Sequence, residues 1–278
     1  MPPETHEPDE RERLGALKKR LDADVAKEAK RTAKEQRREG GAGWFAQPVD
    51  PLTSLVLTTP VFVIYQLGIL LMNMRNGVDL VTDLMVRLLR LSVPGYLALT
   101  LAIGGGMLLA GRALKRRGHA HVFSFGRVML ESSVLAVVML FSVGLATQAL
   151  VPQRIGFWAN QIGGVELGPI DKLVMAAGAG FHEELVFRVG LFGGLTWLLG
   201  KAPQLRGARA PLVAALLAAT AFSAMHYIGS LSDAFTLTSF VFRLLSGLYL
   251  TLVYRTRGFA VAVYTHMLYD LGIFFWVF

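Results

Sequence analysis

From residue 51 onward, apolar runs alternate with short polar segments. A helix that crosses a bilayer needs about 20 predominantly apolar residues. Runs of that kind fall near 51–73, 93–113, 125–151, 170–200, 211–229, 237–254 and 258–278. The pattern predicts an all-α, polytopic membrane bundle of about seven transmembrane helices. Pro60 should kink the first run, because proline removes a helical hydrogen bond and crowds the preceding turn. Residues 75–91 ("RNGVDLVTDLMVRLLRL") mix charges with leucines and read as an interfacial helix. No internal repeat or low-complexity tract is visible.

Ahead of these runs, residues 1–44 form a charged segment ending in "REGGAGW". Leu14, Leu17, Leu21 and Val25 recur at helical spacing, which predicts a short amphipathic helix. The pattern fades after about two heptads, too soon for a coiled coil. The expected organisation is a charged cytoplasmic segment over 1–44 and a membrane-embedded domain over 45–278, with its motif-bearing core at 125–278.

Composition sharpens this picture. The chain is 53% hydrophobic and 17% charged, against about 25% charged in soluble proteins. Because 21 of the 48 charged residues lie in the first 44 positions, the remainder is oilier than the average implies. Cysteine is absent, which excludes disulfides, thiolate zinc sites and cysteine nucleophiles. The N-terminus lacks the apolar stretch of a signal peptide. The net charge of +8 does not point to nucleic acid, because the basic residues cluster beside apolar runs, where they set topology. "LKRRGH", "KAPQLRGAR" and "RTR" alternate with basic-poor loops such as "GSLSDAF". The positive-inside rule then places the N-terminus in the cytoplasm and, with seven spans, the C-terminus outside. The expected location is a bacterial cytoplasmic (inner) membrane.

Against this background, "GAGFHEELVFRVGLFGG" at 178–194 places Glu183, Glu184 and Arg188 inside one predicted span. Each charge at a span's centre costs about 2.5 to 3.5 kcal/mol, so three left uncompensated cost roughly 8 to 10 kcal/mol. Such residues mark function by default. Two further clusters follow: "FSAMH", with Phe222 and His226, and "HMLYD", with His266 and Asp270. Glu184 and Arg188 are four apart, in the favourable order for an ion pair, and read as support. Glu183 points about 100° away from that pair and is suited to act as a general base in a low-dielectric site. His266 and Asp270 share a face, so the aspartate can fix the imidazole's tautomer. Together the residues can activate water and stabilise an oxyanion.

Other polar positions carry weaker signals. Glu131 and Arg243 are charges within spans, expected either to pair with one another or to touch substrate. His119 and His121 read as solvated, Phe222 as core packing, and Gly190 with Gly194 as a GxxxG helix contact. "HEELV" at 182–186 begins like the zincin motif H-E-x-x-H, but Val186 occupies the second histidine's position. Glu183, His226 and His266 still form a donor set of the kind found in catalytic zinc sites.

"EELVFR", "FSAMH" and "HMLYD", in that order on successive apolar runs, resemble the signature of the CPBP family. These are the CAAX-protease, bacteriocin-processing and Abi-like intramembrane endopeptidases. The resemblance covers about 170–278 and implies hydrolysis of a peptide bond near or within the bilayer. It implies that Glu183 activates water, His226 helps hold that water, and His266 with residue 270 faces the oxyanion. Glu184 and Arg188 would support the site. Where prenyl-protein proteases of the family carry asparagine, this chain has Asp270. An ionised aspartate repels an oxyanion, so Asp270 must hold a proton or act by orienting His266; the second is expected.

The resulting expectation is glutamate-activated hydrolysis of a membrane-tethered protein or peptide in the lipid bilayer, with no cofactor required. One alternative is a zinc-dependent protease of the same family. Another is a proton-coupled transporter, since buried Glu, His and Asp also build proton relays. A third is a catalytically silent immunity or scaffold protein, whose buried charges would be structural.

Overall fold

The computed structural model describes residues 48–72, 93–116, 125–151, 168–205, 207–228 and 234–276, together with Lys18 and Asp24. The chain divides into two units, Met1–Gln47 and Pro48–Phe278. The expected N-terminal amphipathic helix, the interfacial helix at 75–91 and His119 and His121 lie outside the described residues. Among the described residues every regular element is helical, and the chain is an integral membrane protein.

Asp50 starts the bundle, its carboxylate accepting from the Leu52 and Thr53 amides at 3.1 and 3.0 Å, with Pro51 in the first turn. That cap satisfies backbone donors the first turn leaves without partners. Helix α1 (Pro51–Leu57) is bent by 43° from α2 (Thr59–Met72). The break falls at Thr58, just before Pro60, as proline's conflict with the preceding turn requires. Then come α3 (Val93–Arg116), α4 (Phe125–Leu150) and α5 (Pro169–Gly178). Helix α5 continues without a turn into a π-helix (Ala179–Gly193) and then α6 (Gly194–Leu199). Helices α7 (Arg209–Met225), α8 (Leu237–Arg257) and α9 (Phe259–Trp276) complete the unit.

The seven-span expectation is met only in part. Helices α4 and α8 are long and apolar enough to cross a membrane, and the bent pair α1–α2 makes a third if counted as one span. Helix α7 and the apolar stretch of α9 have 17 residues each, just short of the usual length.

Helix α9 is the centre of the assembly. It packs against α4, the π-helix, α5 and α8, and Ala260, Val261, Ala262 and Val263 are all fully buried. A helix apolar on every side is stable only when enclosed in this way. Ser132 donates to the Val261 carbonyl at 3.2 Å, and Tyr264 donates to that of Leu57 at 2.8 Å, fixing α9 along its length. Gly258 turns the chain from α8 into α9 at φ +92°, where a side chain would be strained and would meet the Val49 backbone.

Glu131 and Arg243 do not pair with one another. Glu131 on α4 binds Arg257 at the end of α8 through two contacts, one of them Nη2 to Oε2 at 3.0 Å. Both side chains are buried, so the pairing offsets a desolvation cost that neither could bear alone.

Candidate active site

The π-helix decides how the acidic residues are displayed. Its i→i+5 winding holds more residues per turn than an α-helix, so consecutive side chains are separated by less than 100°. Glu183 and Glu184 therefore both reach α9, instead of pointing as far apart as an α-helix would hold them. The site is buried: Glu183 is 3% exposed, Glu184 0% and Arg188 1%.

His266 on α9 is where the carboxylates converge. Its Nδ1 lies 2.8 Å from Glu184 Oε1, at hydrogen-bonding distance. Its Nε2 lies 3.9 Å from Glu183 Oε2 and 3.7 Å from Asp270 Oδ2. The partner that orients the ring through Nδ1 is thus Glu184, while Asp270 sits beside the other nitrogen. Glu184 also meets Arg188, whose Nε is 3.0 Å from Oε2, a charge contact without hydrogen-bond alignment. The Arg188 guanidinium lies over the Phe222 ring at 4.5 Å, and its Nη1 and Nη2 have no hydrogen-bond partner among the described residues. An aromatic face attracts a cation held in this way.

His226 follows α7 directly. Its Nδ1–H donates to the Phe222 carbonyl at 2.8 Å, which leaves Nε2 as the nitrogen that faces other partners. Phe222 joins the two histidines: its ring centroid is 5.0 Å from that of His226 and 6.1 Å from that of His266. Reading Phe222 as core packing alone therefore missed its place between His226, His266 and Arg188. The signal was its position four residues before His226, one helical turn away.

Two glycines make these approaches possible, and neither belongs to the expected GxxxG pair. A Cβ on Gly180 would lie 2.9 Å from both Met267 Cβ and the Val263 carbonyl, so the π-helix and α9 touch there. A Cβ on Gly247 would meet Ala219 at 3.1 Å and Phe222 at 3.2 Å. Among the described residues nothing lies within 4 Å of a Cβ on Gly194 and Gly190 meets only its own helix's backbone, so no described helix packs closely on that pair.

Arg243 completes the surroundings. Its Nη1 donates to Tyr227 OH at 3.1 Å and to Ser239 Oγ, and those two hydroxyls are 2.7 Å apart. Tyr227 and Ser239 carried no sequence signal of a role. Among the described residues no group of three His, Asp or Glu side chains is arranged to hold a metal ion.

Residues 167–272, a segment holding all six residues singled out from the three motifs, match the family model described as type II CAAX prenyl endopeptidase Rce1-like. This segment is a CAAX-protease domain. The match indicates a protease, a hydrolase, and proteases of this family act on membrane-associated proteins. No curated protein and no solved structure matches it. The CAAX-protease domain begins just before α5 and ends within α9, so it contains the π-helix and every contact described around His266.

Proposed function

We propose that the CAAX-protease domain cleaves a peptide bond of a membrane-tethered protein or peptide by glutamate-activated water. The observation that carries this reading is the arrangement about His266, with Glu184 at Nδ1 and Glu183 and Asp270 near Nε2. Glu183 accepts a proton from water as its oxygen attacks the scissile carbonyl, and returns that proton to the leaving amine. His226, its Nδ1 turned to the Phe222 carbonyl, presents Nε2 to the same water as an acceptor. His266, its Nδ1 on Glu184, donates from Nε2 as the imidazolium to the oxyanion. Glu184 and Arg188 position that ring, and Asp270 acts on it from the far side.

For a zinc-dependent variant of this reading the donors are Glu183, His226 and His266. They are not gathered as a metal group among the described residues. Cleavage that survives a strong zinc chelator supports the glutamate mechanism; loss restored by added zinc supports the variant.

The deciding experiment compares protein termini in membrane fractions of cells carrying the wild type or Glu183→Gln. Termini present with the wild type and lost in the variant, at equal protein levels, are the expected result. Unchanged termini combined with altered solute uptake would replace this reading with the transporter.

A further inference from the structure

We propose that His182 is a positioning residue: its ring, clamped by Tyr65 and Phe62 of α2, starts the π-winding that aims Glu183 and Glu184 at His266. The consequence for catalysis rests on the proteolytic reading above, whereas the winding itself does not. His182 opens the stretch "HEELV", stands next to Glu183 and is buried. Helix α5 ends at Gly178 and the π-helix begins at Ala179. In continued α-winding the Gly178 carbonyl would accept from the His182 amide, four residues on. In i→i+5 winding each carbonyl pairs one residue further along, which passes that of Gly178 to the Glu183 amide. The His182 ring takes the place its own amide gives up. Its Nδ1 lies 3.3 Å from the Gly178 oxygen, and since a carbonyl only accepts, Nδ1 is the donor.

Three aromatic rings fix that imidazole. Its centroid lies 4.6 Å from that of Tyr65, 5.2 Å from Phe181 and 6.5 Å from Phe62, the spacing of packed ring pairs. Tyr65, fully buried, also covers Gly178, where a Cβ would come within 2.3 Å of the Tyr65 ring. One side chain of α2 thus touches both the donor ring and the residue whose carbonyl it reaches. One turn along α2, a Cβ on Gly68 would come within 2.4 Å of Val174, so α2 lies close on α5 up to the point where the winding changes. Tyr65 and Phe62 fall outside residues 167–272, so the clamp comes from a helix ahead of the matched segment. Relaxation to α-winding would return the Gly178 carbonyl to the His182 amide. Glu183 and Glu184 would then turn about the helix axis, away from their places 3.9 Å and 2.8 Å from the His266 ring nitrogens.

The test reads the winding directly. The chain has no cysteine, so spin labels attached through Ile170→Cys on α5 and Leu198→Cys on α6, both exposed positions, report the length of the stretch between them. A π-helix packs more residues into each turn and is shorter than α-winding of the same residues, so relaxation lengthens the label distance. His182→Phe keeps a ring for the clamp and removes the donor, whereas His182→Asn keeps a donor at the same place on the side chain. In lipid vesicles the phenylalanine variant should show a longer distance. Its kcat on a prenylated CAAX peptide should fall about ten- to a hundredfold with KM nearly unchanged. The asparagine variant should keep the wild-type distance and most of kcat. His182→Leu, shaped like the asparagine variant without its donor, replaces the phenylalanine variant if that does not fold, with the same expected result. An unchanged distance without the donor, or asparagine and leucine variants that behave alike, would overturn the role of His182. A lengthened stretch with undiminished kcat would overturn its bearing on catalysis. Absence of cleavage by the wild type would count against the proteolytic reading alone, since the label distances test the winding without it.

Discussion

Glu184 is the residue on which the site turns, because one carboxylate meets both His266 and Arg188. Replacing it with glutamine keeps the shape and removes the charge, leaving Arg188 buried opposite a neutral group. Breaking a buried pair from one side costs about 3 to 5 kcal/mol. Glu184→Gln should therefore lower both the unfolding temperature in detergent and the turnover of the protein that remains folded. Arg188→Met should lower stability with a smaller loss of turnover, because His266 keeps its Nδ1 partner. Full turnover by folded Glu184→Gln would remove the positioning role assigned to that carboxylate. Asp270→Asn separates two further possibilities in the same assay. Partial activity is expected if Asp270 works through His266, whereas a gain would show that its charge opposes the oxyanion directly.

At the scale of elements, packing depends on where glycine is required. Gly180→Ala would drive a Cβ against the Val263 carbonyl and Met267, and backbone cannot yield as a flexible side chain can. The expected cost is about 1 to 3 kcal/mol, together with lost activity, since α9 carries His266. Gly194→Ala meets nothing within 4 Å and should be neutral or slightly stabilising in thermal unfolding. The reverse ranking would contradict the close approach of the π-helix and α9. This contrast also marks the limit of what the chain discloses on its face. The three motifs were legible because charges are scarce in apolar runs and each carries an insertion cost. A glycine that a neighbour touches looks the same in sequence as one that faces lipid. The π-winding was hidden as well, since apolar periodicity describes α-helices and strands, and this stretch is apolar on most sides.

Across the whole membrane unit, long-range pairing is what sequence withholds. Glu131 and Arg257 are 126 positions apart, and no spacing rule joins them. Their pairing should show as non-additivity: Glu131→Gln and Arg257→Met each destabilise by about 3 to 5 kcal/mol, while the double variant costs little more than either alone. Additive losses in detergent unfolding would show that the two side chains stabilise the bundle separately. The number of spans was also only partly legible: Pro60 announced the bend between α1 and α2, whereas the length rule cannot see that α7 ends at Met225 after 17 residues. The motif-bearing segment came through more clearly, since its charges lie within apolar runs and cannot be mistaken for membrane anchors.

The widened winding from Ala179 to Gly193 bears on how this domain can change over generations. Each residue added to or removed from a helix swings everything beyond it by about 100°. Inside this stretch a one-residue deletion would also invite the backbone to relax to ordinary α-winding. Either change would carry Glu183 or Glu184 away from His266, however well the altered segment still sat in lipid. Exposed positions such as Val189 can exchange among apolar residues at little cost. The domain should therefore diversify by substitution and be nearly closed to insertions and deletions between 179 and 193, while length variation accumulates in the connections outside the helices.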